Sequence, residues 1–192
     1  ESEINLMSGK IRIYMYSHNG LAVGSFNGDA NIEISEKCSL DITISGIKVT
    51  GIGSTNGIAT ITSSADISMS CTGAQAVGIG VLDDGEGSVY IKKGKISMKM
   101  RSAKHSCIGA IGGSVNAIIE NAEIIIDSEG DEITGIGDSS GSGNVSVIDS
   151  AVTMNVLAAH PVDIGTAGGE LKIQHSTVNS LVNNKRIVHE EQ

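Results

Sequence analysis

Aromatic residues are almost missing: there is no Trp, one Phe and three Tyr among 192 residues. Positive charge is scarce as well, with 13 Lys and Arg against 22 Asp and Glu and a net charge of −9. Such a chain lacks both the stacking planes and the cationic surface that nucleic-acid binding uses, so that function class is excluded. Leucine is rare, 7 residues against 28 Ile and 14 Val. A core of β-branched residues favours strands over helices and is too rich for disorder. No apolar run approaches the length that crosses a bilayer, which excludes membrane insertion by a helix. The cysteines, Cys38, Cys71 and Cys107, are too few for a disulfide framework, and none stands in a CxxC or Cys/His spacing suited to zinc. They read as small buried hydrophobes. The chain opens at Glu1 with no Met and no signal peptide, which reads as a processed or excised piece of a larger protein.

What is present is a repeat. An apolar-Gly pair recurs at Val23-Gly24, Ile52-Gly53, Ile79-Gly80, Ile108-Gly109, Ile136-Gly137 and Ile164-Gly165, with Gly-to-Gly steps of 29, 27, 29, 28 and 28. After each pair comes a loop of small and acidic residues, then two apolar positions alternating with polar ones, as in Ile32/Ile34, Ala59/Ile61 and Val89/Ile91. A small residue follows (Cys38, Ala65, Gly94, Ala122, Ser150, Ser176), then a second alternating pair such as Leu40/Ile42 or Ile96/Met98. Ile4/Leu6, Gly9 and Ile11/Ile13 supply a partial first coil.

Alternation of period two means strands with one buried face. A repeat of about 28 residues with no helical stretch means a solenoid, in which like positions stand one strand spacing apart, about 4.8 Å. The expectation is an all-β, right-handed parallel β-helix of about seven coils of roughly 28 residues, about 30 Å long on that spacing. It occupies residues 1–182 as a single domain, with the polar segment 183–192 as a C-terminal cap or linker. The small column marks a tight corner. The alignment also places Lys95 beside Glu123, Lys99 beside Asp127 and Arg101 beside Glu129, three opposite-charge pairs that penalise a slipped register.

Repeats of this form resemble the β-helix domains of Gram-positive bacterial surface proteins, which include carbohydrate-binding modules with a pectate-lyase-like fold and no lyase chemistry. The resemblance covers Ile4 to Val182 and rests on structural positions. It implies an extracellular or cell-surface setting, an intracellular one staying open, and a polysaccharide ligand, with Ca²⁺ held by acidic residues taking part in its binding.

The residues that would carry such a function are few. Asp83-Asp84-Gly85-Glu86 is the densest carboxylate cluster and the candidate Ca²⁺ site, since a hard cation needs several converging oxygens. Asp29 and Asp138 fall in the corresponding loops two coils away on either side. The spacing is not that of an EF-hand, and a solvated turn is the reading the residues favour. Lys92, Lys93, Lys95, Lys99, Arg101 and Lys104 hold six of the thirteen basic residues. Half of these face the acids named above, which leaves Lys92 and Lys104 as candidate ligand contacts. Tyr14 and Tyr16, with Arg12, point outward from the first coil, where their rings would stack on sugar or cover the end of the stack. Tyr90 is isolated. His18, His105 and His160 fall in loops of non-adjacent coils, too far apart to share a metal, and are expected to face solvent. No GxSxG, P-loop or HExxH is present, and Asp83-Asp84 is the only adjacent Asp pair, so catalytic residues are not assigned.

Three functions compete on this reading. The first is a non-catalytic module binding a polysaccharide or another surface ligand. The second is a structural, partner-docking or sensory domain of a larger chain, with a protein partner. The third and least supported is a polysaccharide lyase or hydrolase.

Overall fold

The computed structural model describes residues 2–189, all-β and without a helix. Residue 1 and residues 190–192 of the polar tail lie outside the described residues. Seven short strands, Ser2–Leu6, Ala30–Ile34, Ile58–Ser63, Glu86–Ile91, Ser114–Glu120, Val145–Ile148 and Leu171–Gln174, stack in parallel as one sheet. The second sheet has ten strands, among them Gly9–Tyr16, Cys38–Ser45, Asp66–Val81, Gly94–Ala110, Ala122–Asp138, Ala151–Thr166 and Thr177–Val182. In the first two coils its far half separates as Asn19–Ser25 and Lys48–Ser54.

The expected columns are the observed register. Val23, Ile52, Ile79, Ile108, Ile136 and Ile164 are successive vertical neighbours, and the glycines that follow them form the adjoining column. Ile52, Ile79, Ile108 and Ile136 are fully buried. So are the inward residues of the short sheet, such as Ile32, Ile61, Val89, Ile119 and Val147. Each large side chain withdrawn from water contributes about 1.5–3 kcal/mol, and each works only in one register, because a slip by one residue would turn the whole set outward.

The stack makes about six turns; the expected seventh is incomplete. After Val182, Asn183 and Asn184 both adopt positive φ, 49° and 62°. Two successive left-handed residues form the two-residue turn whose twist suits a hairpin. They send Lys185–Val188 back antiparallel along Thr177–Val182. The last coil therefore has no apolar-Gly strand, and a charged strand covers the outer edge of its second sheet.

Corners are stabilised by side chains that accept hydrogen bonds from the next coil. Asp29 accepts from the Ile58 amide at 3.1 Å, Asp66 from Lys95 at 2.8 Å, Asn116 from Asn144 at 2.9 Å and Asn144 from Glu170 at 2.9 Å. These pair backbone donors where the strand ladder is interrupted. The small column is a corner, as its composition predicts. Gly94 sits there at φ +104°, and a Cβ at that point would lie 2.4 Å from the Ala65 carbonyl oxygen.

The glycines of the apolar-Gly pairs face the same constraint more severely. Gly80 has φ +140°, and an added Cβ would stand 1.9 Å from the Gly109 carbonyl oxygen. Relief would require the coils to part. Gly80→Ala is expected to cost more than about 2 kcal/mol in denaturant unfolding. Gly28→Ala, with its nearest contact at 3.4 Å and ordinary φ, is expected to change stability by less than about 0.5 kcal/mol. Equal effects of the two substitutions would refute the close-approach account.

Candidate functional site

Outward residues of the second sheet's leading strands form four columns along the solenoid. One runs Tyr14, Thr43, Ser70, Lys99, Asp127 and the next Tyr16, Ser45, Thr72, Arg101, Glu129. Beside them run Arg12, Asp41, Ser68, Ser97 and, at the corner, Lys10, Ser39, Asp66. The face thus opens on two tyrosines, 71% and 90% exposed, passes over a field of hydroxyls, and ends on alternating charge. A shallow groove of about 300 Å³ lies along it, lined by Lys10, Ser39, Asp41, Asp66, Ser68, Lys95 and Ser97. A second groove of about 590 Å³ shares Asp66 and Lys95 and continues past Glu123 and Asp149 to His175.

The charge columns form as the alignment predicts, with one exchange of partner. Lys95 pairs with Glu123 at 2.8 Å. The planar Arg101 guanidinium spans two acids, Asp127 at 2.6 Å and Glu129 at 3.4 Å, as its fork geometry allows and an ammonium's does not. Lys99 is in register with Asp127, but Arg101 holds that carboxylate. Among the described residues Lys99 therefore has no ion-pair partner and presents its charge to solvent beside the hydroxyl field.

The other candidates do not join this face. Lys92 stands 5.3 Å from the centroid of the Tyr90 ring, and the Tyr90 hydroxyl donates to Glu120. Tyr90 is thus not isolated but held between a cation and a carboxylate on the short sheet. Lys104 lies beyond the bend of the second sheet and pairs with Glu132 at 3.0 Å. The carboxylates of Asp83, Asp84 and Glu86 do not converge: Asp83 sits in a turn at φ 61° and binds the Lys48 ammonium at 2.9 Å. Among the described residues no group of three His, Cys, Asp or Glu side chains is placed to hold a metal ion. Asp138 is not a loop ligand either. It is 1% exposed and accepts the Val115 amide at 2.9 Å.

The hydroxyl columns were legible in principle as the outward positions of Ser39-x-Asp41-x-Thr43-x-Ser45 and Asp66-x-Ser68-x-Ser70-x-Thr72. They were missed because small polar residues on a solvated strand are also what any outer face requires. No family model, curated protein sequence or solved structure matches the chain. The resemblance to surface-protein β-helix domains therefore stands as a likeness of fold, with no family link behind it.

His18 and His160 are exposed, but His105 is not: it is 1% exposed, its Nδ1 3.0 Å from the Ser102 carbonyl oxygen and its Nε2 unpartnered. The fold inverts the expected setting because the residue falls on the long strand Gly94–Ala110, past the bend. Burial pushes its pKa down from 6.5 to about 4, opposed by the Ser102 carbonyl and assisted by Arg101. A base whose folded pKa is depressed stabilises the fold fully above its unfolded value and loses that contribution as pH falls through the folded one. Asp138 is raised by burial, so its contribution has the opposite sign and is lost as pH rises. His105 alone is therefore expected to lower stability by on the order of 3 kcal/mol between pH about 6.5 and about 4, a loss that Asp138 opposes. His105→Asn keeps a donor for Ser102 and does not titrate, and it should flatten that part of the pH profile in denaturant titrations. A variant that retains the full acid loss would show that another group causes it.

Proposed function

We propose that the protein is a non-catalytic binding module whose second-sheet face takes a linear polysaccharide laid along the solenoid axis. The observation that carries this reading is the continuous open face running from Tyr14 and Tyr16 across Thr43, Ser45, Ser68, Ser70 and Thr72 to Lys99. Rings present flat apolar planes with a polar tip, suited to a sugar's C–H face and hydroxyls together. Hydroxyl side chains both donate and accept, as sugar hydroxyls do. The face is exposed from Tyr14 and Tyr16 to Lys99, which suits a polymer laid across it better than a small molecule enclosed. The carboxylates of the face are already engaged, Asp41 with Arg12 at 3.7 Å, Asp66 with the Lys95 amide at 2.8 Å, and Asp127 and Glu129 with Arg101 at 2.6 and 3.4 Å. That supports binding without acid–base chemistry, which needs a free carboxyl pair across the scissile bond.

The binding reading is tested on immobilised polysaccharides, polygalacturonate among them, with and without a chelator. Retention is expected, and it should be insensitive to the chelator. Replacing Tyr14 and Tyr16 together with Ala should weaken it at least about tenfold, or roughly 1.4 kcal/mol, with the melting temperature little changed. Absence of binding to any polysaccharide, or binding indifferent to both tyrosines, would refute it.

A further inference from the structure

The outer face of the second sheet has a period as well as a composition. Tyr14, Thr43, Ser70 and Lys99 stand in one column on four successive coils, with no offset of register from coil to coil. Ser45 and Thr72 stand in the column beside it. Along the solenoid like positions are about 4.8 Å apart. Across it the two columns are two residues apart on one strand, about 6.6 Å.

That lattice selects among linear sugars. A pyranose joined through equatorial bonds at both ends advances a straight chain by close to one coil spacing, and its two hydroxyl-bearing edges reach the two columns. A chain with an axial bond at one end of each residue, such as an α-1,4-glucan, curves as it grows and leaves the columns within a few residues.

The side chains carry a second, independent sign. In the second coil the threonine stands in the first column and the serine in the second, Thr43 and Ser45; in the third coil the order is reversed, Ser70 and Thr72. Exposure follows the same alternation: Thr43 and Thr72 are exposed, Ser45 and Ser70 half-buried. The raised hydroxyl therefore changes side with each coil. In a β-1,4-linked chain each residue is turned half a revolution from the last, so its hydroxymethyl edge also changes side with each residue. Over these coils the two columns hold tyrosine, threonine and serine alone, which donate and accept without an ionised partner.

We propose that the ligand is a neutral β-1,4-linked glycan, bound as an extended two-fold ribbon with one sugar residue over each coil from Tyr14 to Lys99. This rests on the polysaccharide-binding reading above and narrows it to one linkage geometry. The tyrosine rings anchor the residue over the first coil by its apolar face. The hydroxyls of the second and third coils bond the edges of the next two residues, and the Lys99 ammonium donates to the hydroxyls of the fourth.

The test uses β-1,4-linked oligomers of glucose, xylose and mannose, from disaccharide to tetrasaccharide, with α-1,4-linked malto-oligosaccharides as the comparison, in titration calorimetry on the 192-residue protein. At least one β-1,4 series is expected to bind, with affinity rising at least about tenfold from disaccharide to tetrasaccharide and at least about tenfold above the malto-oligosaccharide of equal length. Ser70→Ala with Thr72→Ala should weaken the tetrasaccharide about fivefold and leave the disaccharide unchanged, because the disaccharide ends over the second coil. Equal affinity for the two linkages, no gain beyond the disaccharide, or equal weakening of both lengths by the double variant would overturn the proposal. Retention on some other polysaccharide with no β-1,4 series bound would overturn it and leave the broader reading standing, whereas no retention on any polysaccharide removes both. If the variant fails to fold, the length and linkage series decide alone.

Discussion

The structure depends on the close approach of equivalent backbones at one strand spacing. Where the chain turns after each apolar-Gly pair, the carbonyl of one coil fills the space that a side chain of the adjacent coil would need. Gly24, Gly53, Gly80, Gly109 and Gly137 all show it, with an added Cβ falling 1.7–2.0 Å from the next coil's carbonyl oxygen. This contact locks coil to coil at a fixed height and turns the 28-residue period of the sequence into a period in space. The Ile column, the Asp and Asn bonds at the corners and the charge ladder on the second sheet all follow from that height. A repeat of different length would bring none of them into line.

That dependence explains how much of the molecule could be read from the sequence. The apolar alternation and the Gly steps give the strands and their register. Lys95 opposite Glu123 and Arg101 opposite Glu129 follow because register is a matter of counting. Lys99 and Asp127 show where counting stops: they are in register, yet the guanidinium two residues along takes the carboxylate, a choice made by side-chain reach and shape. His105 marks a second limit. Inside a long strand with a bend, the two-residue alternation loses its phase, and a residue counted as loop is carried into the interior. The hairpin at Asn183-Asn184 marks a third. Two adjacent Asn are a turn signal, but a polar tail offers no apolar pattern to show that the chain reverses there.

The same logic governs the outer face. A solenoid writes each coil's outward residues into columns, so a ligand-binding surface is built by repeating modest residues. No single coil holds a site: one contributes two rings, the next a Thr and a Ser, the next two hydroxyls and the following one an unpaired ammonium. Such a surface has no enclosed cavity, and the cues of a catalytic centre are not what to seek in it. Asp83, Asp84 and Glu86 illustrate the contrast. They are dense in sequence but lie in one turn of one coil, where Asp83 is drawn to Lys48, and nothing in adjacent coils repeats or completes them.

The ends are where the repeat fails to satisfy itself, because each interior coil is covered by its two neighbours and a terminal coil by one. The last described coil folds residues back over its edge: Asn183 and Asn184, both at positive φ, turn Lys185–Val188 antiparallel onto Thr177–Val182, with charged Lys185 and Arg186 turned to water. The reversal is short because an antiparallel partner needs only a two-residue turn, whereas a further parallel strand needs a whole coil to return the chain to the same edge.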